Sequence, residues 1–297
     1  MSYAIGIDLG GSCIKSVAVA PGGRALAQTS VPFDVDAEMD WAGKIRDLVA
    51  RIQSERDESP SCIGLSAPGL ATKDGCSIAH MPGRLKGLEG LNWTKFLKTP
   101  NPIPVLNDAH AALLGEAWIG AARGFQNVIM LTLGTGVGGA AIVDGRLLRG
   151  HIGRAGHLGH ISLDIDGVVD VCGTPGSLEV MIGNCTIEER TNRLFKTTHD
   201  LVAAHVAGDP EASYFWLRSV RALACALTSF VNILDPQAVI IGGGIAHAGD
   251  ALFNPLRECL AEIEWRSAGY EAKILPATLG ELAGAYGAAH HAMSTLN

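Results

Sequence analysis

One pattern occurs twice in this chain, and it narrows the possible folds more than any other feature. Tyr3–Leu9 runs apolar, Gly10-Gly11-Ser12 turns, and Cys13–Ala20 runs apolar again before Pro21-Gly22-Gly23. The same succession returns at 127–146: Val128–Leu133, the turn Gly134-Thr135-Gly136-Val137-Gly138-Gly139, Ala140–Val143, then Asp144-Gly145. Short apolar runs bounded by glycine turns read as β-hairpins. Leu9-Gly10 and Leu133-Gly134 hold matching places in the two units. Solenoid repeats recur every ~20–50 residues, so this much longer spacing reads as a duplicated domain.

The intervening sequence fits that reading. A helix is expected over about 37–58, a strand over 62–66, a turn-rich stretch over 67–91 and a strand ending near Leu106. Residues 108–119 are rich in Ala and Leu and read as a helix with Asn107 as N-cap. Further helices are expected near 177–184, 187–194 and 212–234. A buried strand at 238–241 runs into Gly242-Gly243-Gly244, and an Ala/Gly-rich helix covers 281–293. With 297 residues, two α/β lobes facing a cleft is the natural architecture.

Composition excludes some functions. A net charge of −7 argues against a broad nucleic-acid surface, which needs clustered cations. It leaves room for a small anion, because backbone N–H groups hold phosphate without net positive charge. Seven cysteines at irregular spacing read as reduced thiols of a cytoplasmic protein. The segment MSYAIGIDLGGS has no basic n-region, and no run approaches the ~20 apolar residues that cross a bilayer.

Three glycine loops follow predicted strands. In Asp8-Leu9-Gly10-Gly11-Ser12 the backbone can approach a phosphate, Ser12 can donate a hydrogen bond and Asp8 can hold magnesium through water. An ordinary hairpin turn explains the same residues. Gly134, Thr135, Gly136 and Gly138 make the stronger case, since a tight turn does not need so many glycines. Gly242, Gly243 and Gly244 form either a third ligand loop or a close strand–helix corner. Asn107-Asp108 opens a helix, where the dipole keeps a carboxylate ionised. Asp108 is then either part of a plain cap or an acceptor for the proton of an attacking hydroxyl.

The order and spacing of these pieces resemble the ROK family (repressors, open reading frames, kinases). The shared pieces are DLGGS at 8–12, APG at 67–69, LNDA at 106–109, LGTGVGG at 133–139, GxxGRAGxLGH at 150–160, CGTPGSLE at 172–179, NILDP at 232–236 and IIGGG at 240–244. The resemblance implies an actin-like, ribonuclease-H-like α/β fold, with ATP and a sugar in the cleft between two lobes. The expected lobes are 1–107, joined by a C-terminal helix over about 284–297, and 108–283. By the same resemblance Asp108 is the catalytic base. Gly69, Asn107, His157, His160 and Glu179 lie on the sugar side. The three glycine loops hold ATP, with Asp8 near Mg2+. A homodimer would be usual.

Two departures stand out. His157 occupies a position where the family usually has a Glu that accepts sugar hydroxyls; a neutral imidazole offers one acceptor and one donor. The family's structural zinc is bound by a His and three Cys, yet here Asp170 and Ser177 replace two of the thiols. No structural zinc is therefore expected. In the turn-rich 80–85 segment many relatives have an Asn near the sugar; either Arg84 or Gly83 stands in its place, or Arg84 is a solvated surface charge, the preferred reading. The reading that follows is an ATP-dependent kinase acting on a hexose, with the 6-hydroxyl of glucose or a related sugar as acceptor. The alternatives are an amino sugar, an N-acetylhexosamine, fructose or a cyclitol as substrate, or a degenerate protein that only binds sugar. No basic DNA-binding domain is read before the first strand.

Overall fold

Both hairpins form, and each becomes part of a five-stranded sheet. The computed structural model describes residues 2–81 and 83–296; Pro82, within the turn read over 80–85, lies outside the described residues. In the first sheet β1 (Ala4–Leu9) pairs with β2 (Cys13–Val19) antiparallel, from Ala4 opposite Val19 to Leu9 opposite Ile14. A third strand, β3 (Ala25–Pro32), continues the antiparallel side. The sequence reading left β3 unassigned because it is an edge strand, half-buried and exposed in turn, with the polar centre Gln28-Thr29-Ser30.

The helix expected over 37–58 is α1 (Asp40–Arg56). It buries Trp41, Ile45, Leu48 and Ile52, a spacing that sets one helical face on the core. The buried strand β4 (Cys62–Ala67) lies parallel to β1. A short antiparallel ribbon follows, of β5 (Leu70–Ala71) and β6 (Ile78–His80). Helix α2 (Trp93–Leu97) then sets Trp93 against Trp41, ring centres 5.7 Å apart. Strand β7 (Val105–Asn107) closes the order β3-β2-β1-β4-β7 and leads straight into α3 (Asp108–Ile119).

The second sheet repeats this plan. Strands β8 (Val128–Leu133), β9 (Val137–Val143) and β10 (Arg146–Leu147) are joined by β11 (Ala238–Gly242) and β12 (Lys273–Pro276) in the order β10-β9-β8-β11-β12. In each sheet the first hairpin strand has its hairpin mate on one side and a parallel strand on the other: Ala4 meets Cys62, and Val128 meets Ala238. The duplication seen in sequence is thus a duplication of topology.

Helices α4 (Leu178–Ile182), α5 (Ile187–Arg190), α6 (Thr198–Val206), α7 (Pro210–Leu234) and α8 (Asp250–Ile263) accompany the second sheet. Two of these, α6 and α8, fall where no element was assigned. Helix α7 is long and apolar enough to cross a bilayer by length and composition, contrary to the reading that no run approaches that length. It buries Trp216, Val220, Leu223, Leu227 and Phe230 while Arg218 and Arg221 stay exposed. That one-sided pattern belongs to a core helix, and α4, α6 and α8 pack on it.

The chain ends in α9 (Ala283–Leu296), which returns to the first sheet and packs on α3, β1 and β4. Glycines allow the close approach. A methyl group on Gly6 would overlap the Ala285 carbonyl oxygen, and one on Gly64 the Ala288 carbonyl oxygen. The chain divides into two compact units: Met1–Gly124 with Leu147–Ala155 and Thr278–Asn297, and Phe125–Arg146 with Gly156–Ala277. The first division falls after Gly124 instead of at 107/108, because α3 is held in the first unit by α9.

Candidate functional site

In the first unit the sequence-predicted residues gather where β1, β4 and β7 end. Asn107 is the last residue of β7. Its side-chain oxygen accepts the N–H groups of Ala109 at 3.0 Å and His110 at 3.2 Å, which caps α3. Its amide nitrogen donates to the Gly69 carbonyl at 3.0 Å. One side chain thus fixes both the helix start and the Gly69 turn, where φ is +97° and a side chain would collide with the His80 carbonyl. Asp108 follows as the exposed first residue of α3, its Oδ1 accepting the Ala109 N–H at 2.8 Å.

Asp8, near the end of β1, is the half-buried neighbour of that carboxylate. Its Oδ1 accepts the Ser66 hydroxyl at 2.7 Å. Burial pushes its pKa up to about 6, and the charge of Asp108 pushes the same way; the Ser66 hydrogen bond and Lys15 oppose the shift. Gly284 of α9 lies against the Asp8 carboxylate, and a methyl group there would come within 2.7 Å of it. The turn Gly10-Gly11-Ser12 is closed by the Gly10 N–H on the Cys13 carbonyl at 3.0 Å, and the Ser12 carbonyl accepts the Phe33 N–H at 3.2 Å. Arg84 is exposed, yet its Nη1 stands 3.5 Å from where a Gly11 side chain would begin. The residue read as a surface charge therefore places a guanidinium beside the first glycine turn.

The Asp8 shift has a measurable consequence. Its pKa rises from 3.8 unfolded to about 6 folded, so the folded state binds more protons between those values. Stability attributable to Asp8 is full below the unfolded value and is lost as pH rises through the folded one. Asp8→Asn is expected to remove that loss and to stabilise the protein above pH 7 by roughly 2 kcal/mol. Urea midpoints of both proteins from pH 5 to 8 test this; parallel pH profiles would contradict it.

In the second unit the loop between β8 and β9 is held from both flanks. The Gly134 N–H reaches the Gly136 carbonyl at 2.9 Å. The Asn184 N–H donates to the Gly134 carbonyl at 2.9 Å, and the Cys185 N–H to that of Thr135 at 2.8 Å. Glu179, in the first turn of α4, accepts the Val137 N–H on Oε2 at 2.9 Å, and any side chain at Gly136 would strike that carboxylate. Gly243, at φ +86°, packs on the backbone of Leu133, so the loops 134–138 and 242–244 lie side by side. A cavity of about 790 Å³ is lined by Asn184, Cys185, Ile187, Glu188, Asn192 and Arg193, among others. The sequence reading gave these residues no role, for their link to Gly134 and Thr135 runs through backbone groups that carry no side-chain signature.

The segment 156–179 forms the rest of this half. His157 precedes a single turn of 3-10 helix, Leu158–His160. His160 Nδ1 lies 2.8 Å from Asp170 Oδ2. Asp170 Oδ1 accepts the N–H groups of Cys172 and Thr174, both at 2.9 Å. Burial alone would raise the Asp170 pKa, but these hydrogen bonds outweigh it and lower the value. Buried Ser177 caps α4 by accepting the Val180 N–H at 3.4 Å.

These residues do not fit the family's structural zinc. Donor atoms of His160, Asp170 and Cys172 lie within 4.8 Å of one another. Ligands of a tetrahedral zinc at ~2.0–2.1 Å stand about 3.3 Å apart, so a His–Asp separation of 2.8 Å holds a shared proton and not a metal. One thiol remains in the set; partial burial, and then the charges of Asp170 and Glu179, push its pKa up. Neither a protonated thiol nor a serine hydroxyl is a good zinc ligand.

Residues 4–294 match the ROK family. A glucokinase of Thermotoga maritima is 32% identical over 305 residues, covering 96% of this chain and 95% of that one. Among solved structures, a ROK hexokinase from Thermus thermophilus superposes with a TM-score of 0.87 at 30% identity, covering 99% of both chains. A ROK glucokinase from Streptomyces griseus, solved with glucose and AMPPNP, superposes at 0.79 with 27% identity, over 99% of this chain and 100% of that one. The duplicated sheets are those of the actin-like ATPase fold, and the chain belongs to the ROK family. Within it, this protein is a sugar kinase.

Proposed function

We propose that the protein transfers the γ-phosphoryl group of ATP to a hexose hydroxyl, the 6-hydroxyl of glucose or a related hexose, with Asp108 as general base. The observation that supports this most is an exposed carboxylate at a helix start, set by the Asn107 cap and close enough to half-buried Asp8 to raise its pKa. Asp108 takes the proton of the attacking hydroxyl, while Asn107, Gly69, His157, His160 and Glu179 orient the sugar. Phosphoryl transfer asks mainly for positioning and charge stabilisation. Backbone N–H groups of Gly10, Gly11, Gly134, Thr135, Gly136 and Gly138 and the Ser12 hydroxyl supply it, and Arg84 adds a cation beside Gly11. Gly242, Gly243, Gly244 and the neighbouring cavity at 184–193 take the adenosine. The nucleotide binds as its magnesium complex, since the coupled carboxylates Asp8 and Asp108 suit a hard divalent cation. Magnesium would neutralise phosphate charge there. The protein works in the cytoplasm as a homodimer.

A coupled ADP-release assay with Mg-ATP against hexoses, hexosamines and cyclitols tests the reading. Sugar-dependent turnover is expected. If no sugar in the panel releases ADP, the protein is a ligand-binding relative without activity. His157 favours a second reading of the substrate, an amino sugar or N-acetylhexosamine, because an imidazole replaces a carboxylate acceptor. His157→Glu is expected to raise kcat/KM for glucose relative to N-acetylated hexoses about tenfold. An unchanged ratio would remove His157 from the sugar site.

A further inference from the structure

We propose that Asp170 replaces the family's structural metal, and that this exchange turns the sugar-facing nitrogen of His160 from a hydrogen-bond donor into an acceptor. The inference rests on the reading of His160 as a sugar contact. Asp170 has a side chain only 1% exposed, and both of its oxygens are engaged: Oδ2 by His160 Nδ1, Oδ1 by the N–H groups of Cys172 and Thr174. A metal ion on Nδ1 of a neutral imidazole leaves the ring proton on Nε2, which then donates. A carboxylate only accepts, so Nδ1 must carry the proton, and the neutral ring then keeps its lone pair on Nε2. The His160 side chain remains 21% exposed.

The consequence joins the two departures in this segment. Replacement of a glutamate by His157 removes a carboxylate acceptor from the sugar site. Replacement of a thiolate by Asp170 supplies an acceptor at His160 Nε2. Asp170 is therefore a positioning residue, acting on the sugar through His160.

Asp170→Asn gives a sharp test. Its amide oxygen can keep the Cys172 and Thr174 N–H groups only by turning the NH2 toward His160. The amide then donates to Nδ1, and the ring proton moves to Nε2. Two-bond 1H–15N correlation spectra of 15N-histidine protein at pH 8, with His160→Gln to identify the signals, should show an Nδ1–H ring in the wild type. The opposite tautomer is expected in Asp170→Asn, along with a sugar KM raised about tenfold, a smaller change in kcat and an unchanged circular dichroism spectrum. An Nε2–H ring in the wild type would overturn the proposal, as would stoichiometric zinc whose removal shifts the His160 signals. An inverted tautomer with unchanged KM would refute the sugar-facing half. The spectra need no turnover, so a failure of the kinase reading is distinguishable from a failure of this one.

Discussion

Asp108→Ala is expected to lower kcat for sugar phosphorylation by about 10³-fold while leaving sugar KM nearly unchanged. A general base acts only as the hydroxyl proton leaves, so its loss shows in kcat and kcat/KM together. The fold should tolerate the change. Asn107, not Asp108, provides the cap that accepts the Ala109 and His110 N–H groups, and Asp108 is exposed. The variant should also lower the Asp8 pKa, because the charge of Asp108 is one of the two influences raising it. Steady-state kinetics with Mg-ATP and the preferred sugar decide the matter. A kcat within tenfold of wild type would mean that another group takes the proton.

Glu116→Ala carries the largest expected cost to stability, about 4 kcal/mol, or a fall in Tm of about 10 °C. Glu116 lies in α3 and is 0% exposed. One oxygen accepts the Thr278 and Leu279 N–H groups, both at 2.8 Å; the other accepts the Ala121 N–H at 2.6 Å and the Thr278 hydroxyl at 3.0 Å. Removing the carboxylate leaves these donors buried and unpaired. They sit just before the chain leaves the first unit after Gly124 and just where it returns at Thr278. Glu116→Gln keeps the volume but turns a donor toward donors, and should cost about half as much. Urea denaturation gives both values; a loss under about 1 kcal/mol for Glu116→Ala would show that water satisfies these groups.

The sheet plan was legible because its signals are local. Alternating or continuous apolar runs interrupted by Gly10-Gly11 and Gly134-Thr135-Gly136 mark the two hairpins, and their equal order reports a duplication without any knowledge of contacts. The cap at Asn107 was equally readable, since an N-cap is set by the residue itself and the two that follow. Edge strand β3 was missed because its polar side chains suit the solvent it faces. Helix α8 escaped assignment with Pro255 inside it. The lobe boundary at 107/108 was placed where a strand meets a helix, but α3 is kept in the first unit by α9, far away in sequence.

Asp170 marks the limit of reading residues one at a time. In sequence it is a missing thiol. In the structure it is the hub of hydrogen bonds from His160, Cys172 and Thr174. Whether a substitution damages a site or rebuilds it depends on which donors the fold brings to the new atom, and these come from three positions, His160, Cys172 and Thr174. Arg84 teaches the same lesson on the surface: its exposure was foreseen, its place beside Gly11 was not.

The bond from the Val137 N–H to Glu179 Oε2 has a thermodynamic corollary. On the proposed assignment that carboxylate serves the sugar and the loop serves the nucleotide, so one atom belongs to both equilibria. A sugar hydroxyl that draws the carboxylate toward itself alters how firmly the loop is held. Linkage then requires reciprocity: whatever factor the sugar imposes on nucleotide affinity, the nucleotide returns to the sugar.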